Sequence, residues 1–363
     1  MKRILMASVA VLGAASGATA GGIDRSGQGL GALFEKGRYL ELSFGLASPT
    51  IEGRDVATAP TGDVAGTYTQ LGFSYKYDIN DQLSMALNVD QPFGADIQYA
   101  LTSPLLGGTT AQAETYAVTG ILRYKFNEAF SVHGGLRMQH AKGNIRLQGL
   151  AYGPLSGYDV QLAGDWAPGY LIGVAYEKPE IALRIALTYN SAIKHEMGTT
   201  QTIIPPATGT VTEVETPQTV NLDFQTGVAK DTLVFGQIRW ADWSNFLIDP
   251  VNFPGNGLVE LEDTVTYTLG VARRFNENWA GSFSINYEGK GTDDLVSPLA
   301  PTNGRIGATI GAVYTMDNMK ITAGINYTKL GDARPETGTP DTARASMTGN
   351  SVVGVGIKVG WSF

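Results

Sequence analysis

Apolar and polar side chains alternate one by one along much of this chain, the period of a β-strand with two unlike faces. At the C-terminus Val353, Val355, Ile357, Val359, Trp361 and Phe363 share one face, and Gly354, Gly356, Lys358, Gly360 and Ser362 share the other. Tyr116, Val118, Leu122, Tyr124 and Phe126 alternate with Thr115, Thr119, Arg123 and Lys125. Ile181, Leu183, Ile185, Leu187 and Tyr189 oppose Arg184, Thr188 and Asn190, and Ile321, Ala323, Ile325 and Tyr327 oppose Thr322, Asn326 and Thr328. In all four stretches each charge falls on the polar face.

Two kinds of connection separate these stretches. Short ones are centred on Asp78 to Asp81, Asn127-Glu128, Lys178-Pro179-Glu180, Lys230-Asp231, Asn276 to Asn278 and Asp317-Asn318, and read as tight hairpin turns. Longer polar or Gly/Pro-rich loops are expected near 49–64, 102–111, 148–158, 197–216, 249–260, 290–303 and 331–346. Six turns and seven loops join fourteen strands. Short turns at one end and long loops at the other are the layout of an outer-membrane barrel. Lipid offers no partner to a backbone N–H, so the sheet must close on itself. A soluble β-sandwich would also alternate, but has no need of the long and short loops. The expected fold is all-β, a 14-stranded antiparallel transmembrane β-barrel over residues 37–363, with a short N-terminal plug.

Residues 1–20 read as an export signal: Lys2 and Arg3, an apolar run from Ile4 to Ala15, then Ala18-Thr19-Ala20. The apolar run is too short for a spanning helix. Without Lys2 and Arg3 the balance is 24 basic against 34 acidic residues, and no basic stripe suggests nucleic acid. There is no Cys, and the three His residues leave little material for a metal; His133 and His140 fall on opposite strand faces. No Gly-x-Ser-x-Gly elbow or phosphate loop is present. We therefore expect neither an enzyme nor a cofactor, and place the protein in the bacterial outer membrane among lipid. Its terminal Phe363 suits recognition by the barrel-assembly machinery.

Several segments, in order, resemble the FadL/TodX family, outer-membrane transporters of long-chain fatty acids and aromatic hydrocarbons. They are Gln91-Pro92-Phe93-Gly94-Ala95-Asp96, Gly164-Asp165-Trp166 with Gly173-Val174-Ala175-Tyr176, Arg184 with Tyr189 to His195, Trp240 to Phe246, and Asp263-Thr264 with Tyr267 to Gly270 and Phe275 to Trp279. The resemblance implies a 14-stranded barrel, an N-terminal hatch, and a side opening made by a kink in the third strand. Residues 21–36 are much shorter than the family's hatch and lack its Asn-Pro-Ala motif.

The kink maps to Pro92, Phe93 and Gly94. Pro92 has no N–H for a neighbouring strand, and Gly94 permits a bulge. Leu83, Met85, Leu87 and Val89 are expected to face out, with Ile97 and Tyr99 keeping that phase after the interruption. A lateral gate is the functional reading; an ordinary bulge above the membrane is the plain one. Ser26 to Phe34 is expected to enter the barrel as the plug, with Leu30, Leu33 and Phe34 lining the passage, unless it is a periplasmic tail. Arg184 points inward, either to grip a carboxylate head group or to pair with a neighbouring acid. Ile203 and Ile204, in an unusually apolar loop, form an outer groove for ligand or a loop-packing contact. Trp240, Trp243 and Phe246 read as an outer aromatic girdle, although Asp242 shares the phase of Trp240; His195 falls on the outward phase. The functional expectation is passive transport of a hydrophobic small molecule, a fatty acid or aromatic hydrocarbon, with lateral exit. The alternative is a general diffusion porin.

Overall fold

The computed structural model describes residues 23–255 and 257–363; the segment 1–20, expected to be an export signal, lies with Gly21 and Gly22 outside the described residues. Seventeen segments form one antiparallel sheet that closes on itself. Three pairs of segments continue one another across a break, so the wall has fourteen strands. They are β1 (Tyr39–Thr50), β2 (Tyr68–Asp78), β3 (Leu83–Asp90, then Gly94–Gln98), β4 (Thr110–Lys125), β5 (Phe130–Leu147), β6 (Tyr158–Lys178) and β7 (Leu183–Asn190, then Ile193–Gln201). The others are β8 (Thr210–Thr216, then Thr219–Ala229), β9 (Thr232–Ala241), β10 (Thr264–Arg274), β11 (Trp279–Glu288), β12 (Arg305–Met316), β13 (Met319–Leu330) and β14 (Ser351–Ser362). Closure comes from β1 pairing with β14, Tyr39 opposite Ser362 through Thr50 opposite Ser351. The backbone edge that lipid would punish is thereby removed.

The period-two faces sort as lipid requires. Leu122, Leu187, Ile310, Ile325 and Ile357 are exposed on the outside of the wall, whereas Arg123, Arg137, Arg239 and Lys358 are buried inside it. Arg123 pairs with Glu177 of a nearby strand and Lys76 with Asp78, so interior charges are compensated. The short turns are where the sequence places them. One long loop is not: the stretch expected as a loop over 197–216 is mostly a hairpin, Ile193–Gln201 paired with Thr210–Thr216, and only 202–209 remain outside it. Its threonines and valines sustain a ladder that its glycines and prolines disguise.

At the long-loop end the lumen is filled. Ile51, Leu106, Leu147, Val160, Leu299 and Met347, from different strands and loops, belong to one buried apolar cluster. A fully buried side chain of this kind contributes about 1.5–3 kcal/mol. Burial pushes the Tyr99 phenol well above its ordinary pKa, so it stays a donor, and its hydroxyl bonds the Pro298 carbonyl at 2.9 Å.

Candidate functional site

The first half of β3 pairs with both neighbours as far as Val89 opposite Phe73 and Asp90 opposite Ala117. Pro92 then interrupts it. Beyond the break the strand pairs only with β4, and its register has slipped by one residue, with Gly94 opposite Glu114. A one-residue slip reverses every later side chain. Ile97 and Tyr99 are accordingly buried inside, a correction to the expectation that they keep the outward phase.

On the other side β2 continues without β3: Tyr68 to Gly72 pair with β1 alone. Contact resumes farther out, where Gly66 N–H bonds the Asp96 carbonyl at 2.9 Å and Gln98 N–H bonds the Val64 carbonyl at 2.8 Å. The result is a framed window, with residues 67–72 on one side and 90–95 on the other. One side chain crosses it for the backbone: Gln91 Oε1 accepts from Leu71 N–H at 2.8 Å. Exposed Phe44 and Leu46 of β1 lie opposite Leu71 and Thr69, so the window sits within the apolar band.

Backbone groups left free by the kink are satisfied from inside. Thr115 Oγ1 accepts from Phe93 N–H at 2.8 Å and donates to the Phe93 carbonyl at 2.7 Å. The N-terminal segment supplies the rest: Gly94 N–H bonds the Ile23 carbonyl at 2.7 Å, and Arg25 N–H bonds the Pro92 carbonyl at 2.8 Å. That segment is tied across the lumen. Asp24 accepts from Arg239 Nε at 2.6 Å, Ser26 Oγ donates to Asp90 at 2.5 Å, and Gln28 accepts from Thr219 at 2.7 Å. Leu30 and Leu33, around the single turn Gly31–Phe34, pack on Ala86, Ile121 and Leu171 of the wall. The Phe34 ring lies 4.5 Å from the guanidinium of Arg123 and 4.6 Å from that of Arg184.

Two cavities flank this arrangement. An apolar one of about 80 Å³ touches Ile23, Phe93, Gly94, Met197, Trp243 and Phe246. A polar one of about 220 Å³ touches Gln70, Asn88, Asp90, Arg137, Arg184 and Asp223. Trp243 stands edge-on to Phe93 at 5.3 Å and to Phe246 at 5.6 Å.

Among the residues singled out in the sequence, Pro92, Phe93 and Gly94 meet at the window. Leu30, Phe34 and Arg184 line the polar cavity, and Leu33 is wedged behind them. Ile203 and Ile204 border neither cavity: Ile203 is exposed with a positive φ, and Ile204 packs on the outer cluster. Trp243 and Phe246 do not form an outer girdle. β9 ends at Ala241, the chain turns inward, and Trp243 is buried, while Trp240 stays on the wall and donates to Asp263. That ending also removes the conflict with Asp242, which lies past the strand and accepts from Gln218 and Asn245. His195 is inside, 3.3 Å from Asp165, because β7 breaks at Ser191 and Ala192 and changes phase. Asp24, Arg25, Tyr68, Thr115 and Arg239 were not singled out; adjacent Asp24 and Arg25 in an otherwise uncharged glycine-rich stretch were the available signal.

The family model of outer membrane protein transport proteins (OMPP1/FadL/TodX) matches residues 46–363. The chain belongs to this family. No curated protein matches it. Among solved structures, a Pseudomonas aeruginosa FadL homologue aligns with TM-score 0.73 at 15% identity, covering 92% of each chain. The toluene transporter TodX of P. putida aligns with TM-score 0.66 at 14% identity, covering 96% of this chain and 99% of that one. The Ralstonia pickettii toluene transporter TbuX gives 0.62 at 16%, covering 91% and 90%. At such identities the structures establish a shared fold, a closed 14-stranded barrel. Family and fold together make this OMPP1/FadL/TodX member an outer-membrane transport barrel.

Proposed function

We propose that this protein carries long-chain fatty acids or comparably apolar small molecules inward by passive diffusion, and that the cargo leaves sideways through the window between β2 and β3. The observation that carries this reading is the window itself, a stretch of wall inside the apolar band with no strand pairing, next to an apolar cavity. A molecule leaving there enters lipid without crossing the aqueous periplasm. Relatives described as a FadL homologue and as toluene transporters support an apolar cargo. Residues 23–36, strapped across the lumen, act as the plug, and the packed outer loops keep water from crossing freely. Arg184 beside Phe34 is the residue best placed to meet an acidic head group.

The test uses the purified barrel in liposomes. Labelled oleate and toluene should both transfer faster than into empty liposomes, their ratio giving the cargo class, while single-channel conductance stays low. Deleting Pro92 removes the one-residue slip and should let β3 pair with β2 throughout. In a deletion variant that keeps its β-sheet circular dichroism, unchanged transfer would refute lateral exit. Steady, large conductance from the unmodified protein would favour the general diffusion porin.

A further inference from the structure

A window in a membrane wall raises a selectivity problem. The most abundant apolar molecules near it are the lipids themselves, and an unguarded opening beside an apolar cavity would fill with acyl chains. Besides Gln91, whose amide crosses to Leu71, a second side chain stands at that opening. The Arg25 guanidinium lies 4.1 Å from the centre of the Tyr68 ring, on the β2 side of the frame. On the β3 side, a Cβ added at Gly94 would come within 2.5 Å of Arg25 Cζ. Arg25 therefore spans the two edges that no strand pairing joins, and a side chain at position 94 would have to push its guanidinium aside.

Arg25 is only 8% exposed, and its Nε has no hydrogen-bond partner. A buried guanidinium with an unsatisfied nitrogen costs stability; it fits a group whose place matters more than its bonds. Its main chain is pinned to Pro92, and the residues on either side are held by Arg239 and Asp90. The carboxylates of Asp96 and Glu114 add attraction from the outer side of the frame, and a cation over a desolvated ring is favourable.

We propose that Arg25 is the selectivity residue of the window: stacked on Tyr68 across Gly94, it excludes lipid acyl chains from the apolar cavity. A charged head between two chain edges is costly for a hydrocarbon tail to displace. This rests on the lateral-exit reading and concerns what the window keeps out.

Trp243, buried in the cavity against Phe93, supplies the readout. The other four tryptophans, Trp166, Trp240, Trp279 and Trp361, are replaced by Phe, and the barrel is placed in liposomes of brominated phosphatidylcholine, which quenches indoles that touch its chains. In this parent Trp243 should be little quenched. Arg25→Ala should raise the population of open windows roughly thirtyfold, the scale of one desolvated cation–π contact, and Trp243 quenching should rise with it. Tyr68→Leu removes the other half of the stack and should do the same; Gly94→Ala, which leaves both partners but denies the guanidinium its space, should follow. Equal quenching in the parent and in folded Arg25→Ala and Tyr68→Leu proteins would overturn the inference. Oleate transfer is measured on the same samples. Increased quenching with no dependence of transfer on the Pro92 deletion leaves the seal standing and removes lateral exit. Transfer that depends on Pro92 without any change in quenching does the reverse.

Discussion

The wall has two unlike sectors. From β10 round to β14 the ladders run without interruption; β12 and β13 pair at every position from Arg305 opposite Leu330 to Met316 opposite Met319. From β3 to β8 they break repeatedly: at 91–93, between Ala141 and Gly143, at Ser191 and Ala192, and at Pro217 and Gln218. Gly94, Ala141, Gly143 and Thr216, which flank three of these breaks, all touch the apolar cavity. The regular sector does what lipid asks of any barrel. The broken sector gives up ladder bonds to turn Ile97, His195 and Met197 inward, and so shapes an interior.

The breaks are not equally costly. Beside those of β5, β7 and β8 the outward residues are Lys142, Lys194 and Glu215, the first two in exposed ion pairs, so water or head groups can satisfy the backbone there. The break in β3 begins lower, past Asp90 opposite Ala117 and beside exposed Leu71 and Tyr116, where lipid offers nothing, and ends at Gly94 opposite Glu114, the ion-pair partner of Lys142. There Thr115, Gln91 and the N-terminal segment replace the missing ladder bonds, as Ser191 and Asp165 do for Tyr170 and Glu196 at the break in β7.

The largest expected effect comes from cutting the tie between the N-terminal segment and the wall. Asp24 and Arg239 are both about 5% exposed. Removing one member of such a buried pair costs about 3–5 kcal/mol. Arg239→Met should therefore release residues 23–37 from the lumen while the barrel stays closed. Trypsin should then cut at Arg25 or Lys36 in folded protein, where the parent resists; resistance in both would mean the other ties suffice alone.

A smaller effect should separate the sectors by environment. Ile310 of β12 faces lipid and Val211 of the outer half of β8 lies among outward acids; both are exposed. Ile310→Arg should lower stability by about 2–4 kcal/mol, against about 0–1 kcal/mol for Val211→Arg near the interface. Urea unfolding in lipid vesicles measures both, and equal losses would place the β8 hairpin inside the bilayer.

The same contrast explains what could be read from the sequence. The fourteen strands and six turns were legible because lipid outside and a polar lumen inside impose a two-residue period, and because Pro92 in such a strand has few explanations. The interior of the broken sector was not. A bulge of one residue, invisible in composition, turned Ile97 and Tyr99 from outside to inside. Trp243 was misassigned because the end of β9 depends on where β8 and β10 stop, a non-local fact. The roles of Arg25 and Tyr68 required the fold, since 42 positions in sequence separate them and nothing local joins them.

The most local effect concerns the inner support of the kink. Thr115 holds both the N–H and the carbonyl of Phe93. Thr115→Val keeps the shape and strands two buried backbone groups, at about 1–3 kcal/mol each. The loss should stay local, because the ladder of β4 with β5 does not use that hydroxyl. Hydrogen exchange should quicken at Phe93 and Gly94 and leave β13 and β14 unchanged. If the amides of all strands quicken together, the kink is part of what holds the cylinder shut, and the division into a regular and a shaped sector is wrong. If only the kink responds, the wall tolerates its flaw as a separate module, one that side chains can tighten or loosen without endangering closure.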